Sequence, residues 1–206
     1  MRVLTLIAFL LVFIRAGAQE KICLINSHEL ENVKVVDITA NTVKYQRFGN
    51  DSSKIKAIYR EDIFAIVQND GSEKIIYLPD PVEGEFSIEQ MRMFVKGTKD
   101  ARLHYHDVSS SVIGFAFGAL GPYFYSRVGI SPGFVMFPPA VGILMVSLAS
   151  PNMSHEKYVE QKYLNNEEYL MGFQRKGRRK KIRNAFLASL VGIGLGTIPV
   201  LMDISK

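Results

Sequence analysis

Residues 108–126 read VSSSVIGFAFGALGPYFYS and residues 184–202 read NAFLASLVGIGLGTIPVLM, 19 positions each without a charged side chain. Wound as a helix, a stretch of that length approaches the ~30 Å of a bilayer's hydrocarbon core, so each is expected to be a transmembrane helix. A further 23 uncharged residues, Val128 to Ser150, follow the first stretch across Arg127 alone. Pro132, Pro138 and Pro139 interrupt this second stretch and predict a kinked or broken helix. Residues 108–150 are therefore read as a membrane hairpin or a single kinked span, and 184–202 as a further transmembrane helix.

Outside these stretches the composition changes. Residues 151–183 predict a polar helix ending in the run RKGRRKKIR at 175–183, which holds seven bases and no acid. Much of the formal charge of +5 sits there. A basic run that abuts an apolar stretch reads as a membrane flank rather than a nucleic-acid patch, so a lipid bilayer and no nucleic acid is the expected partner. Arg178, Arg179, Lys180 and Lys181 are the interface residues of this run. Arg127, with Tyr123 and Tyr125 beside it, is the interfacial anchor of the first stretch.

Glycines mark candidate helix contacts. Gly114, Gly118 and Gly121 line one face of the first stretch, and Gly192 and Gly196 lie in the last, where small residues let helices approach closely. Gly97 and Gly172 belong to a faint internal repeat: Phe94-Val-Lys-Gly97 and Tyr169-Leu-Met-Gly172 are offset by 75 positions, as are Gly121 and Gly196. Homo-oligomerisation through these glycine faces is expected. Topology stays open, because a two-crossing hairpin fits the lengths whereas a single crossing fits the preference of basic runs for the cytoplasmic side.

Upstream, residues 1–18 have the pattern of a signal peptide: Arg2, an apolar core from Val3 to Ile14, and the small-residue box Ala16-Gly17-Ala18. In residues 19–80 the apolar positions alternate, as in Val43 and Tyr45 against Lys44 and Gln46, and turn signals such as Asn26-Ser27-His28 and Asn69-Asp70-Gly71 separate the runs. Five or six short strands predict a small SH3-like or Sm-like β-barrel, with Val33, Val35, Val36 and Ile38 changing face midway as a bulged strand does. A linker and an amphipathic helix occupy 81–107, the helix opened by the capping pair Ser87 and Gln90. The fold class is thus α+β: a small barrel, amphipathic helices, and two or three transmembrane helices.

Chemistry is sparse. Cys23 is the only cysteine, so no intramolecular disulfide forms. His104-x-His106-Asp107 is the one cluster with metal-ligand chemistry, but residues two apart on a helix face different ways, and interfacial polar residues are the preferred reading. Asp100, among Lys96, Lys99 and Arg102, is read as a surface ion-pair partner. No serine-nucleophile, Walker or dinucleotide motif appears, so no catalytic, cofactor or metal residue is assigned and no enzyme is expected.

The residues Ala18-Gln19, Gly97, Asp100, Ala101, Tyr105, Pro138-Pro139, Tyr169, Gly172, Phe173 and the bases Lys176 to Lys181 together resemble a group of uncharacterised exported membrane proteins of Bacteroidetes. The resemblance covers nearly the whole chain and implies export and this architecture, but no reaction. It departs at Asn26-Ser27, where the group has an Asn-Gly turn, and at His106-Asp107. The functional expectation is a non-enzymatic, membrane-anchored envelope protein whose β domain lies in the periplasm and binds another envelope component. The alternative is a small transport or channel component.

Overall fold

The computed structural model describes residues 20–48, 54–80, 84–128, 135–151 and 161–204. The expected signal peptide and Pro132 lie outside the described residues. The chain divides into two compact units between Val95 and Lys96.

Alternating apolar residues in the first unit form six strands: β1 (Glu20–Leu24), β2 (Glu29–Ile38), β3 (Thr42–Arg47), β4 (Ile55–Tyr59), β5 (Ile63–Val67) and β6 (Glu73–Ile75). All pairings are antiparallel, in the order β4-β3-β2-β1-β5-β6. The expected barrel is therefore corrected to an open six-stranded sheet with β4 and β6 as its edges. The reason lies at β6. The carbonyl of Phe64 accepts the N–H groups of both Ile76 and Tyr77, at 2.9 and 3.1 Å, which ends the β6 ladder after three residues. Beyond β4 the chain turns away in a single 3₁₀ turn, Arg60–Asp62.

One side of the sheet curls over a core of Ile22, Val33, Val43, Tyr45, Ile63, Ile66 and Ile76. The uninterrupted apolar run of β5 is explained by burial on both faces, since Phe64 and Ala65, with Tyr77, pack on the other side against Ile88, Met91 and Val95. The register of β2 slips between Val35 and Asp37, where the face change was expected, and the Val35 amide at that slip is satisfied by the Glu20 carboxylate at 2.5 Å. In the β1–β2 turn Ser27 adopts φ 66°, a conformation that costs a residue with a side chain about 1 kcal/mol. Its hydroxyl is buried without a hydrogen-bond partner. Replacing Ser27 by glycine is expected to stabilise the sheet unit by about 1 kcal/mol, measured as a rise in the urea midpoint with unchanged slope. A fall would show that the hydroxyl supplies more than the turn strain removes.

The helix α1 (Ile88–His104) begins as its capping pair predicts: the Ser87 amide donates to Gln90 Oε1 at 2.9 Å and the Gln90 amide to Ser87 Oγ at 3.3 Å. The second unit continues with α2 (Ser109–Val128), α3 (Phe137–Leu148) and α4 (Glu167–Ile204). Asp107 caps α2, accepting from the Ser109 amide at 3.1 Å and from the hydroxyls of Ser109 and Ser110. Pro138 and Pro139 stand in the first turn of α3, where proline is tolerated, so they open a helix instead of kinking one.

From Glu167 on, the expected polar helix of 151–183 and the apolar segment after it form one continuous helix of 38 residues, α4, preceded by a 3₁₀ turn at Gln161–Tyr163, while residues 152–160 lie outside the described residues. It contains the one helix among the described residues that is long and apolar enough to cross a membrane. Serines, tyrosines and Pro122 dilute the hydropathy of α2, and the 12 residues of α3 reach only about 18 Å.

The seam between α2 and α4 is built from small residues. A Cβ placed on Gly114 would stand 2.2 Å from the carbonyl oxygen of Ala185, one on Gly118 2.3 Å from that of Ser189, and one on Gly192 2.3 Å from that of Phe115. Partner positions rise together along both helices, so α2 and α4 run parallel. The seam extends to Gly196, against Ala119 and Pro122. The return between them is made by α3, whose Gly142 lies against the Phe117 ring, while Gly121 faces the Val135 carbonyl.

Candidate binding groove and basic collar

Because the sheet stops short of closing, a groove of about 720 Å³ opens in the first unit. One wall is the β2–β3 turn and the end of β4, with Asn41, Tyr59, Arg60 and Glu61; the other is the chain after β6, from Ile76 to Leu78, with Phe86 and Met91 behind. The Arg60 amide donates to the Asn41 carbonyl at 2.9 Å and ties the first wall together. In the second, Tyr77 donates its hydroxyl hydrogen to the Phe86 carbonyl at 2.8 Å, and the Asp80 amide donates to Glu85 Oε2 at 3.0 Å. Tyr59 and Leu78 form the lips and are 64% and 69% exposed. An apolar concavity with a few polar groups at its rim is suited to binding. None of these residues was singled out from sequence, since the groove arises from where two distant turns end.

The second unit joins its polar and apolar parts through an aromatic cluster. Tyr169, fully buried, stacks on Tyr163 at 5.0 Å and on Phe173 at 6.5 Å, and Phe173 meets Tyr105 edge-on at 5.8 Å. Gly97 admits this cluster: a Cβ there would lie 2.0 Å from the Tyr169 carbonyl oxygen. Asp100 accepts the Tyr169 hydroxyl at 2.8 Å, so its role is an internal hydrogen bond in place of the expected surface ion pair. The repeat becomes a reciprocal contact. Gly97 lies against the Phe173 amide, and the carbonyl of Gly172 accepts the Thr98 hydroxyl at 3.3 Å.

Above the cluster sits the basic run. Lys180 and Lys181, expected at a membrane interface, direct their ammonium groups onto neighbouring carbonyls. Lys180 Nζ donates to the carbonyls of Ala101, Arg102 and Tyr105 at 3.3, 2.8 and 2.8 Å, neutralising the C-terminal end of α1 as a cation there does. Lys181 Nζ, in a buried side chain, donates to Ala149 just beyond α3 at 3.3 Å. Arg178 and Arg179 are exposed, as is Arg127 at the other end of α2. Tyr123 is exposed and meets Phe124 edge-on at 5.9 Å; the side chain of Tyr125 lies outside the described residues.

Burial pushes the Lys176 and Lys180 ammonium groups below their ordinary range, and the neighbouring cations Arg102 and Arg183 push them further. Burial alone would raise the Asp107 carboxyl, but hydrogen bonds from Ser109 and Ser110 and the nearby Lys181 outweigh it and hold Asp107 below the usual carboxylate range. His104 and His106 are exposed. Among the described residues no three His, Cys, Asp or Glu side chains come together as a metal site would require.

Compared with protein-family models, curated proteins and solved structures, the chain matches none. What the fold and its sites define is a class of architecture: an open antiparallel sheet carrying a groove, and a separate helical unit with a glycine seam and one helix capable of crossing a membrane.

Proposed function

We propose that this is a non-enzymatic, membrane-anchored envelope protein, exported by its N-terminal signal peptide, whose sheet unit binds an envelope component through the groove beside Tyr59 and Leu78. The reading keeps the likeness to exported Bacteroidetes membrane proteins and puts the sheet unit in the periplasm. The observation that carries it is the inverted packing of the helical unit. Small residues such as Gly114, Gly118, Ala185 and Ser189 meet inside, while Val112, Leu144, Leu148, Leu187 and Val191 point outward, each more than half exposed. Only 17% of the most apolar 18-residue stretch of α4 is buried. In water such a surface is an aggregation site; in lipid, where large apolar side chains are solvated and small ones let backbones approach, it is the stable arrangement.

The dimensions agree. From Ser109 to Arg127 α2 rises about 27 Å, close to the ~30 Å of a hydrocarbon core, with capping lysines near one end and Arg127, Tyr123 and Phe124 at the other. The parallel course of α2 and α4, and the bond from Lys181 to the end of α3, support a hairpin of α2 and α3 followed by α4. The basic run then shares a side with His104. The glycine faces at Gly114, Gly118, Gly192 and Gly196 meet the chain's own helices.

The test places single cysteines at Asn69, His104 and Lys176 in a Cys23→Ser background and labels cells with a membrane-impermeant maleimide before and after each membrane is opened. The expected result is that His104 and Lys176 label together and that Asn69 labels before the inner membrane is breached. Separate labelling of His104 and Lys176 would replace the hairpin by a single crossing. Release of the protein from membranes by alkaline carbonate would overturn the embedded reading altogether.

A further inference from the structure

At the point where α4 passes from polar to apolar, Arg102 of α1 and Lys176, Arg179 and Arg183 of α4 form a cation cluster. Lys176, Lys180 and Arg183 stand four and three residues apart, which puts them on one side of the helix, and Arg102, Arg179 and Arg183 are near enough to depress the Lys176 ammonium. Lys180 at the centre is occupied, its three hydrogens directed to the carbonyls that end α1. The others are not. Among the described residues no ion pair with a carboxylate involves Arg102, Lys176, Arg179 or Arg183. The acids on either side of Arg102 in sequence are engaged elsewhere, Asp100 by the Tyr169 hydroxyl and Asp107 by Ser109, Ser110 and Lys181.

Arg102 supplies the second, independent observation. Its Nε is buried and has no hydrogen-bond partner. A buried guanidinium N–H without an acceptor is costly, and guanidinium groups bind phosphate through paired N–H donors. Converging cations that repel one another, one with an unmet donor, are complementary to an anion. The seam contact of Ala185 with Gly114 begins two residues after Arg183, so Arg183 borders the charge-free segment and Arg179 and Lys176 stand about 6 and 11 Å further out along the helix, across the depth where a headgroup phosphate sits beside a spanning helix.

We propose that Arg102, Lys176, Arg179 and Arg183 form a binding site for the phosphate of an anionic phospholipid headgroup, with Lys180 positioning α1 against α4 and not itself touching the lipid. The inference rests on the membrane-embedded reading and gives that surface a chemical preference.

The full chain, purified in a neutral detergent, is titrated with phosphatidylglycerol or phosphatidylcholine, and retained lipid is counted by native mass spectrometry. The expected result is phosphatidylglycerol retention about tenfold stronger than that of phosphatidylcholine, a preference of the size one or two interfacial cations supply. The double variant R102Q/R183Q is expected to lose that preference. The equally charge-depleted variant R175Q/R178Q, changed at two exposed arginines of the same run, is expected to keep it. Equal loss in both variants would reduce the site to diffuse surface charge and overturn it, as would a wild type without preference. Displacement of the lipid by inorganic phosphate would reassign the cluster to a free anion. If R102Q/R183Q fails to fold, R183K, which keeps charge but lacks the planar fork, supplies the comparison: it is expected to weaken phosphatidylglycerol retention, and unchanged retention would overturn the site. Extraction by carbonate would instead remove the membrane reading, a failure distinct from membrane residence without lipid preference.

Discussion

Gly118→Leu is expected to separate α2 from α4 and destabilise the helical unit by about 3 kcal/mol or more. The first atom of any side chain at that position would stand 2.3 Å from the Ser189 carbonyl oxygen and 2.8 Å from the Ser189 Cα, and backbone cannot swing aside as a flexible side chain does. The measurement is thermal unfolding of the full chain in detergent, followed by tyrosine fluorescence. Gly194→Leu is the matched control, since a Cβ there meets nothing within 4 Å. Leucine exceeds glycine in helix propensity by nearly 1 kcal/mol, so this second change is expected to be neutral or to raise the midpoint. Two similar losses would mean that the seam is not what sets stability.

Tyr169→Ala is expected to cost about 4 kcal/mol, the range for deleting a fully buried aromatic side chain, and to loosen the junction where the polar half of α4 meets α1. Tyr169→Phe keeps the ring stacked between Tyr163 and Phe173 and removes only the hydroxyl bonded to Asp100. It is expected to cost about 1–2 kcal/mol. Limited trypsin digestion in detergent provides the readout, with cleavage after Arg102 and Lys176 accelerated in the order wild type, Phe, Ala. Equal rates in all three would remove the aromatic cluster as the clamp of this junction.

Much of the sheet was legible because a strand's period of two is written directly in its residues. The alternation at Thr42–Arg47 and the turn at Asn69-Asp70-Gly71, with Gly71 at φ 82°, needed no distant information. Closure was not legible. Whether β6 continues to pair depends on where the amides of Ile76 and Tyr77 find an acceptor, and that acceptor, Phe64, belongs to a different strand. The groove follows from the same event and was equally hidden, because Tyr59 and Leu78 carry no local signal of a shared cavity. In the helical unit the glycine spacing marked a close-packed face, whereas its occupant, a second segment of the same chain, depends on a parallel pairing that spacing alone does not encode. The basic run illustrates a different limit. Charge content is readable, but the difference between Lys180, spent on three carbonyls, and Arg179, exposed one residue earlier, is a matter of helical phase.

The parallel seam also has a consequence in time. Ala185 and Ser189 leave the ribosome about seventy residues after Gly114 and Gly118, an interval of several seconds at ordinary elongation rates. Throughout it α2 exists without the surface that fits Gly114 and Gly118, and each unpartnered glycine weakens a helix by nearly 1 kcal/mol. The order of birth therefore leaves the earlier helix waiting on the later one: α2 acquires its final rigidity only when α4 has been made, and the helical unit matures as a whole once that helix is present instead of segment by segment.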